Sequence, residues 1–125
     1  ERGGADAVVA INTLRAMAID IETGYPVLAN KVGGLSGPAI KPVAVRCVYD
    51  ISRAVEIPVV GCGGVTDWRD AVEFLLAGAR AVQIGTAVAY RDLNVFREVT
   101  SGVSKYLADK GYRGVEEIVG LSHKA

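Results

Sequence analysis

Two apolar segments of the sequence end in glycine-rich turns, whose exposed main-chain N–H groups could bind an anion. Gly63-Gly64 follow the segment 57–61, and Gly85-Thr86 come at the end of the segment 81–85. Glycine lets a ligand approach main-chain N–H groups, and a helix that starts after the turn adds a positive end. Two such turns, one strand–helix unit apart, are typical of a phosphate site. We therefore predict that Gly63, Gly64, Gly85 and Thr86 bind phosphate; the alternative is that the glycines only form tight turns.

An amide and a hydroxyl follow a third apolar segment, residues 7–11. Asn12 and Thr13 could read a planar ligand, because together they offer paired donors and acceptors. A simple polar turn would have the same sequence, and spacing alone does not choose between the two. The loop Gly33–Gly37 comes next on the same side of the predicted sheet.

The sequence gives little support to other kinds of functional site. The run Gly61–Gly64 lacks the third glycine of a dinucleotide fingerprint, and no Gly-Lys-Ser/Thr loop is present. His123 is the only histidine, which leaves no residues for a His-rich metal site or a Ser–His–Asp triad; we expect it in a solvated tail. Cys62 could be a nucleophile beside a helix start, although a small residue filling a tight turn is the favoured interpretation. Cys47 is expected in the core.

The elements that position these residues alternate along the chain. The three apolar segments predict strands at 7–11, 57–61 and 81–85, and Pro26–Ala29 could add a short one. Apolar residues three and four apart predict helices from Pro38 to Val55, from Thr66 or Asp67 to Gly78, from Asp92 to Lys110, and over Val115–Val119. The inward faces should carry Ile40, Val43, Ala44, Cys47, Val48 and Ile51 in the first helix, and Phe96, Val99, Val103, Tyr106 and Leu107 in the third. Thr66 is a candidate N-cap and Gly111 a helix end.

Composition excludes several classes of protein. The 125 residues carry 14 Lys+Arg and 14 Asp+Glu, and this balance argues against a nucleic-acid or anionic-membrane partner. A hydrophobic fraction of 50% is too high for a disordered segment. No apolar run approaches the roughly 18 residues of a membrane helix. Two cysteines are too few for a disulfide framework, so we expect a cytoplasmic protein.

The strand–helix alternation predicts an α/β fold with a parallel sheet. Three parallel strands make a poor independent fold, because both edges and one face of the sheet stay uncovered. A (β/α)₈ TIM barrel needs about 250 residues. Residues 1–125 are therefore expected to be the C-terminal three βα units of one such barrel domain, as a fragment or partial chain. A chain that stood alone would be expected to pair with partner chains along its open edges.

Six motifs in order resemble the catalytic subunit of class 1B dihydroorotate dehydrogenases, in the C-terminal part of that subunit. They are Ala10-Ile11-Asn12-Thr13, Met17-Ala18-Ile19-Asp20, Gly33–Ala44, Gly61-Cys62-Gly63-Gly64, Gln83-Ile84-Gly85-Thr86 and the ending Gly111–Leu121. Class 2 enzymes, which associate with membranes, carry Tyr-Ser where this sequence has Gly85-Thr86. The FMN domain of dihydropyrimidine dehydrogenases shares the Ser36-Gly37 and Gly63-Gly64 turns and is the nearest alternative.

The resemblance implies an FMN enzyme that oxidises dihydroorotate to orotate in pyrimidine synthesis. Transferred by motif, Ile11 would contact the flavin, Asn12 and Thr13 would bind the substrate, and Gly37 would approach FMN. The phosphate would be held by Gly63, Gly64, Gly85 and Thr86. A subunit with an iron–sulfur cluster and FAD would pass the electrons to NAD, in a homodimer or heterotetramer.

The resemblance also implies that a catalytic part is missing. The family's general base is a cysteine after the fourth strand, and lysines that contact FMN also lie earlier in the barrel. Neither precedes Glu1, and Cys62 does not match the position of the base. We therefore expect no catalytic residue in this chain and no turnover by the 125 residues alone. A half-barrel that binds a phosphate ligand without catalysis remains the alternative from another functional class.

Overall fold

The computed structural model describes residues 1–125 as a mixed α/β fold around a small parallel sheet. Strands β1 (Val8–Ala10), β4 (Val59–Cys62) and β5 (Ala81–Gln83) lie side by side in that order, and both pairings are parallel. All three strands were predicted, with slightly longer bounds. They form an open sheet rather than a closed barrel, and their carboxyl ends share one edge.

A separate antiparallel hairpin follows β1. It pairs β2 (Leu14–Ala16) with β3 (Gly33–Leu35), and residues 17–32 connect the two strands. The prediction of a strand at Pro26–Ala29 is wrong: this segment makes only one isolated bridge, between Ile19 and Pro26. Pro26 has no N–H to donate to a strand ladder, which limits pairing there.

The predicted helices are present, with changes at their ends. A 3₁₀ turn at Pro38–Ile40 leads into α1 (Lys41–Ala54), followed by α2 (Trp68–Leu76), a short α3 (Val88–Arg91) and α4 (Asn94–Lys110). Gly111 ends α4 in the left-handed conformation, as expected. The predicted last helix is replaced by 3₁₀ turns at Val115–Glu117 and Leu121–Lys124.

The helices cover one face of the sheet. Ala44 and Val48 of α1, Phe74 of α2 and Val99 of α4 belong to one buried cluster with Val59 of the sheet. On the opposite face Val9 is 54% exposed, so the expectation of an uncovered face is confirmed. No helix is both long enough and apolar enough to cross a membrane.

Two residues of the predicted inward faces lie on the surface instead. Val43 in α1 and Phe96 in α4 are about half exposed, although the spacing of apolar residues placed them with the core. Each stands at the margin of its apolar stripe, and the small sheet is too narrow to cover the full width of such a stripe. Cys47 is half-buried at the same kind of margin.

His123 is not in a solvated tail, so that prediction is wrong. Its Nε2 lies 2.9 Å from the carbonyl oxygen of Ala77, and its ring meets the ring of Tyr49 edge-on at 4.7 Å. The last carbonyls of a helix lack partners within the helix. The C-terminal segment supplies them at the end of α2, where the backbone N–H of Gly120 and the hydroxyl of Ser122 donate to Leu75 and Leu76.

Candidate functional site

A cavity of about 130 Å³ opens at the carboxyl edge of the parallel sheet. It lies where the turns after β1, β4 and β5 meet the turn before α1. Its lining consists of Ile11, Thr13, Ser36, Gly37, Ile40, Cys62, Gly63, Gly64, Val65, Thr66, Gln83, Gly85, Thr86, Ala87 and Tyr90. The expectation that these glycine turns come together on one rim is therefore confirmed.

Seven of the eight residues predicted to bind ligand line this cavity: Ile11, Thr13, Gly37, Gly63, Gly64, Gly85 and Thr86. Asn12 does not line it, and its side chain instead supports its neighbour. Asn12 Oδ1 accepts a hydrogen bond from the backbone N–H of Thr13 at 2.7 Å and lies 3.4 Å from Thr13 Oγ1. Because Oδ1 is engaged, the orientation of the amide is fixed and its NH₂ group remains available.

The glycines of the rim differ in whether the fold requires them. Gly64 has φ of 77°, and a methyl group there would lie 2.8 Å from the carbonyl oxygen of Gly37. Gly63 has φ of 135°, and its methyl group would lie 2.8 Å from the methyl of Ala44. At Gly85 the backbone has ordinary φ, and a methyl group would meet no atom within 4 Å. The fold itself thus explains Gly63 and Gly64, whereas only open space surrounds Gly85.

Main-chain donors at this rim are unused. The backbone N–H groups of Gly63, Gly64, Gly85 and Thr86 donate to no backbone acceptor. Buried or partly buried amides normally have partners. Gly63 and Gly64 are partly buried, whereas Gly85 and Thr86 are exposed to solvent. All four N–H groups lie beside one cavity, where they can bind the oxygens of an anion.

The helix that follows Gly63-Gly64 does not offer a free positive end, so this part of the sequence interpretation is wrong. Asp67, and not Thr66, is the N-cap of α2, and its side chain accepts from the N–H groups of Arg69 and Asp70. Asp70 in turn accepts from the N–H groups of Thr66 and Asp67. A capping box of this kind satisfies the first amides of the helix internally. Only the turn amides remain for a ligand.

A network of charged side chains outside the cavity lining links the turn before α1 to the turn after β4. Lys41 Nζ donates to Asp70 Oδ1 and to Glu73 Oε2, both at 2.7 Å. Asp70 also accepts the hydroxyl of Thr66 at 2.7 Å, so it connects the turn before α1 to the turn after β4. Burial alone would raise the pKa of Asp70, but the hydrogen bonds from Lys41 and Thr66 outweigh it and lower the pKa. Hydrogen bonds to Asp70 and Glu73 raise the pKa of Lys41.

We expect Asp70→Asn to lower the free energy of unfolding by about 2 kcal/mol at pH 7, because a hydrogen-bonded, mostly buried charge is lost. A lowered carboxyl pKa stabilises the fold above the ordinary value of 3.8, and this stabilisation is lost as pH falls through the folded pKa. The raised pKa of Lys41 stabilises it fully below 10.5, and that part is lost as pH rises through the folded value.

Urea unfolding of the chain at a series of pH values measures both effects. Asp50→Asn is the matched control, since Asp50 pairs with Arg46 on an exposed helix surface and should contribute little. Equal losses from the two variants at pH 7, or an unchanged acid limb in Asp70→Asn, would contradict the assignment.

Two side chains that line the cavity, those of Ser36 and Tyr90, were not predicted from the sequence as ligand candidates. Thr86 Oγ1 and Ser36 Oγ are hydrogen-bonded at 2.7 Å, so one of these two hydroxyls retains a proton for a ligand. Tyr90 lines the cavity from α3 and is 55% exposed. In the sequence, Tyr90 is distinguished only by its position four residues after Thr86. It lies in a short helix that the spacing of apolar residues did not predict.

Comparison with known proteins identifies the family. The family model for dihydroorotate dehydrogenase matches residues 1–107. The chain belongs to the dihydroorotate dehydrogenase family. This match contains β1, β4, β5 and every residue of the cavity.

Dihydroorotate dehydrogenases of subtype B from archaea are similar over nearly the whole chain. The catalytic subunit of dihydroorotate dehydrogenase B (NAD(+)) from Thermococcus kodakarensis is 62% identical over 122 residues, which cover 98% of this chain and 40% of the relative. The corresponding subunits from Methanosarcina acetivorans and Pyrococcus horikoshii are 60% and 58% identical and cover 99% of this chain. The chain thus spans about 40% of the length of these relatives.

Proposed function

We propose that this chain is the C-terminal part of a class 1B dihydroorotate dehydrogenase catalytic subunit and supplies part of its FMN and substrate site. In this proposal the three βα units belong to a (β/α)₈ barrel, whose other strands cover the bare face of the sheet. The main observation in support is Gly85, where open space meets unused amides at the junction of three turns. The names of the archaeal relatives support the same activity.

The cavity fits the phosphate end of FMN. A phosphate monoester has three strong acceptor oxygens, and the amides of Gly63, Gly64, Gly85 and Thr86 can donate to them. Gly85 leaves the approach unobstructed, and Gly37 and Ile11 line the same cavity. When bound, FMN would supply the capacity to accept a hydride from the substrate.

Asn12 and Thr13 would bind the dihydroorotate ring and its carboxylate end. With Oδ1 held by the N–H of Thr13, the NH₂ group of Asn12 is directed to donate to a carbonyl or carboxylate oxygen. The hydroxyl of Thr13 can donate beside it. These two residues orient the substrate, and the general base that removes its proton lies outside this chain. Cys62 remains a small lining residue and not that base.

The proposed reaction needs an electron partner. We propose a separate electron-transfer subunit with NAD as acceptor, which the terms "catalytic subunit" and "NAD(+)" in the names of the relatives support. The resemblance to class 1B enzymes implies that this subunit carries an iron–sulfur cluster and FAD. The two kinds of subunit would form a heterotetramer around a homodimer of catalytic subunits.

A chimeric catalytic subunit tests this proposal directly. The 122 matched residues of the Thermococcus kodakarensis relative are replaced by those of this chain; we call the product the chimera. We expect the chimera to retain FMN, measured by its visible absorbance, and to oxidise dihydroorotate with an artificial electron acceptor. The 125-residue chain alone should show no turnover, because it lacks the base.

The unmodified relative serves as the control for folding and flavin content. A folded chimera that neither purifies with FMN nor binds added FMN would overturn the proposal. Preferential oxidation of dihydrouracil would favour the dihydropyrimidine dehydrogenase alternative. Turnover by the 125-residue chain alone would contradict the expectation about the base.

A further inference from the structure

The unused amides leave part of a phosphate's hydrogen-bonding capacity unfilled. Each of three oxygens can accept more than one hydrogen bond, whereas the rim offers four N–H groups. No lysine or arginine lines the cavity. Two cations adjacent to lining residues are engaged elsewhere: Lys41 binds Asp70 and Glu73, and Arg91 donates to the carbonyl oxygen of Thr66 and to Glu98.

Tyr90 places an unused hydroxyl at this cavity. The Tyr90 oxygen lies 3.9 Å from the point where a methyl group on Gly37 would stand, and Gly37 is itself part of the lining. The Tyr90 hydroxyl forms no hydrogen bond with another side chain. The hydroxyl of Thr86, in contrast, is hydrogen-bonded to that of Ser36. A half-exposed tyrosine whose hydroxyl lies at the cavity is well placed to donate to a bound anion.

The short helix α3 fixes the backbone that carries this side chain. Backbone N–H groups of Tyr90 and Arg91 donate to the carbonyl oxygen of Ala87, which follows Thr86 directly. Arg91 adds a 2.6 Å hydrogen bond to the carbonyl oxygen of Thr66 and an ion pair with Glu98 of α4. Tyr90 therefore stands on a segment that is tied to the turn after β4 and to α4.

We propose that the Tyr90 hydroxyl donates a hydrogen bond to the phosphate of the bound flavin nucleotide. This role rests on the proposed function of the cavity as an FMN site. A hydroxyl that donates to a phosphate oxygen forms a short, charge-assisted bond, which is stronger than a neutral one. Tyr90 thereby supplies selectivity for FMN over flavins without phosphate, beside the main-chain amides and the hydroxyl pair of Ser36 and Thr86.

The test compares FMN with riboflavin, which has the same ring system and no phosphate. Both are titrated into flavin-free chimera carrying Tyr90→Phe, and quenching of flavin fluorescence gives the dissociation constants. We expect the dissociation constant for FMN to rise about tenfold and that for riboflavin to stay unchanged. Tyr25→Phe is the matched control, because Tyr25 is an exposed tyrosine outside the cavity.

A second measurement keeps the test decisive where riboflavin binds too weakly to titrate. The phosphorus resonance of bound FMN should shift in Tyr90→Phe and not in Tyr25→Phe. Equal weakening of FMN and riboflavin, or normal FMN binding with an unmoved resonance, would overturn the role of Tyr90 and leave the FMN site in place. A parental chimera without FMN binding would instead overturn the proposed function as well.

Discussion

Gly85→Val should abolish FMN binding in the chimera while leaving its unfolding temperature without flavin within about 2 °C of the parent's. The side chain would meet no protein atom at its Cβ, so the fold has no reason to change. It would, however, place three carbon atoms against the amides of Gly85 and Thr86. Losing two hydrogen bonds to a charged group costs about 3–6 kcal/mol, which corresponds to at least a hundredfold in the dissociation constant.

The measurement is flavin content after purification, followed by titration with FMN and thermal unfolding of the flavin-free protein. Gly3→Val is a matched control: Gly3 has equally open surroundings but lies outside the cavity. Parental FMN affinity in Gly85→Val would show that phosphate does not bind at this turn. A large fall in unfolding temperature would show that Gly85 serves the fold.

Much of the fold followed from local sequence patterns. The apolar segments around Val59 and Val82 predicted parallel strands, and their carboxyl ends brought Gly64 and Gly85 to one cavity as expected. This succeeded because the direction of parallel strands fixes which turns share an edge, whatever the details of packing. The hairpin of β2 and β3 could not be predicted in the same way. It depends on the close contact of Gly34 with Thr13, where a methyl group would lie 2.1 Å from the threonine hydroxyl oxygen.

The errors have both local and long-range causes. Thr66 has a suitable residue type for an N-cap, but its hydroxyl donates to Asp70 and the cap falls to Asp67. His123 is near the C-terminus, yet it contacts Ala77, 46 residues earlier in the chain. The first error is local, because two candidate caps stand side by side and the capping box with Asp70 selects Asp67. The contact of His123 is set by tertiary packing and leaves no periodic signal in the sequence.

The residues of the candidate site likewise fall into those that local sequence patterns predicted and those that depend on tertiary packing. Glycine turns and strand ends predicted seven lining residues, since both depend on backbone geometry. Tyr90 and Ser36 were missed because their relevance depends on where side chains of a short helix and a loop point. The pairing of Lys41 with Asp70, which leaves no cation for the cavity, likewise joins residues that are 29 positions apart.

Gly64→Ala should lower the free energy of unfolding of the chimera by about 2–5 kcal/mol. A non-glycine residue pays about 1–2 kcal/mol in the left-handed conformation. The added methyl group would also stand 2.8 Å from the carbonyl oxygen of Gly37 and from Cβ of Lys41, and crowding of this kind costs about 1–3 kcal/mol. Relief would require the turn before α1 to move away from the turn after β4, so FMN binding should weaken together with stability.

Gly111→Ala separates the two costs. Gly111 has φ of 76°, close to that of Gly64, but a methyl group there would have no neighbour within 4 Å. Urea unfolding should therefore show only the conformational cost for Gly111→Ala, with FMN affinity unchanged. The difference between the two variants measures the contact between the turns that carry Gly37 and Gly64. If both variants lost the same stability, that contact would not hold the cavity in shape, and Gly64 would be required only for its backbone conformation.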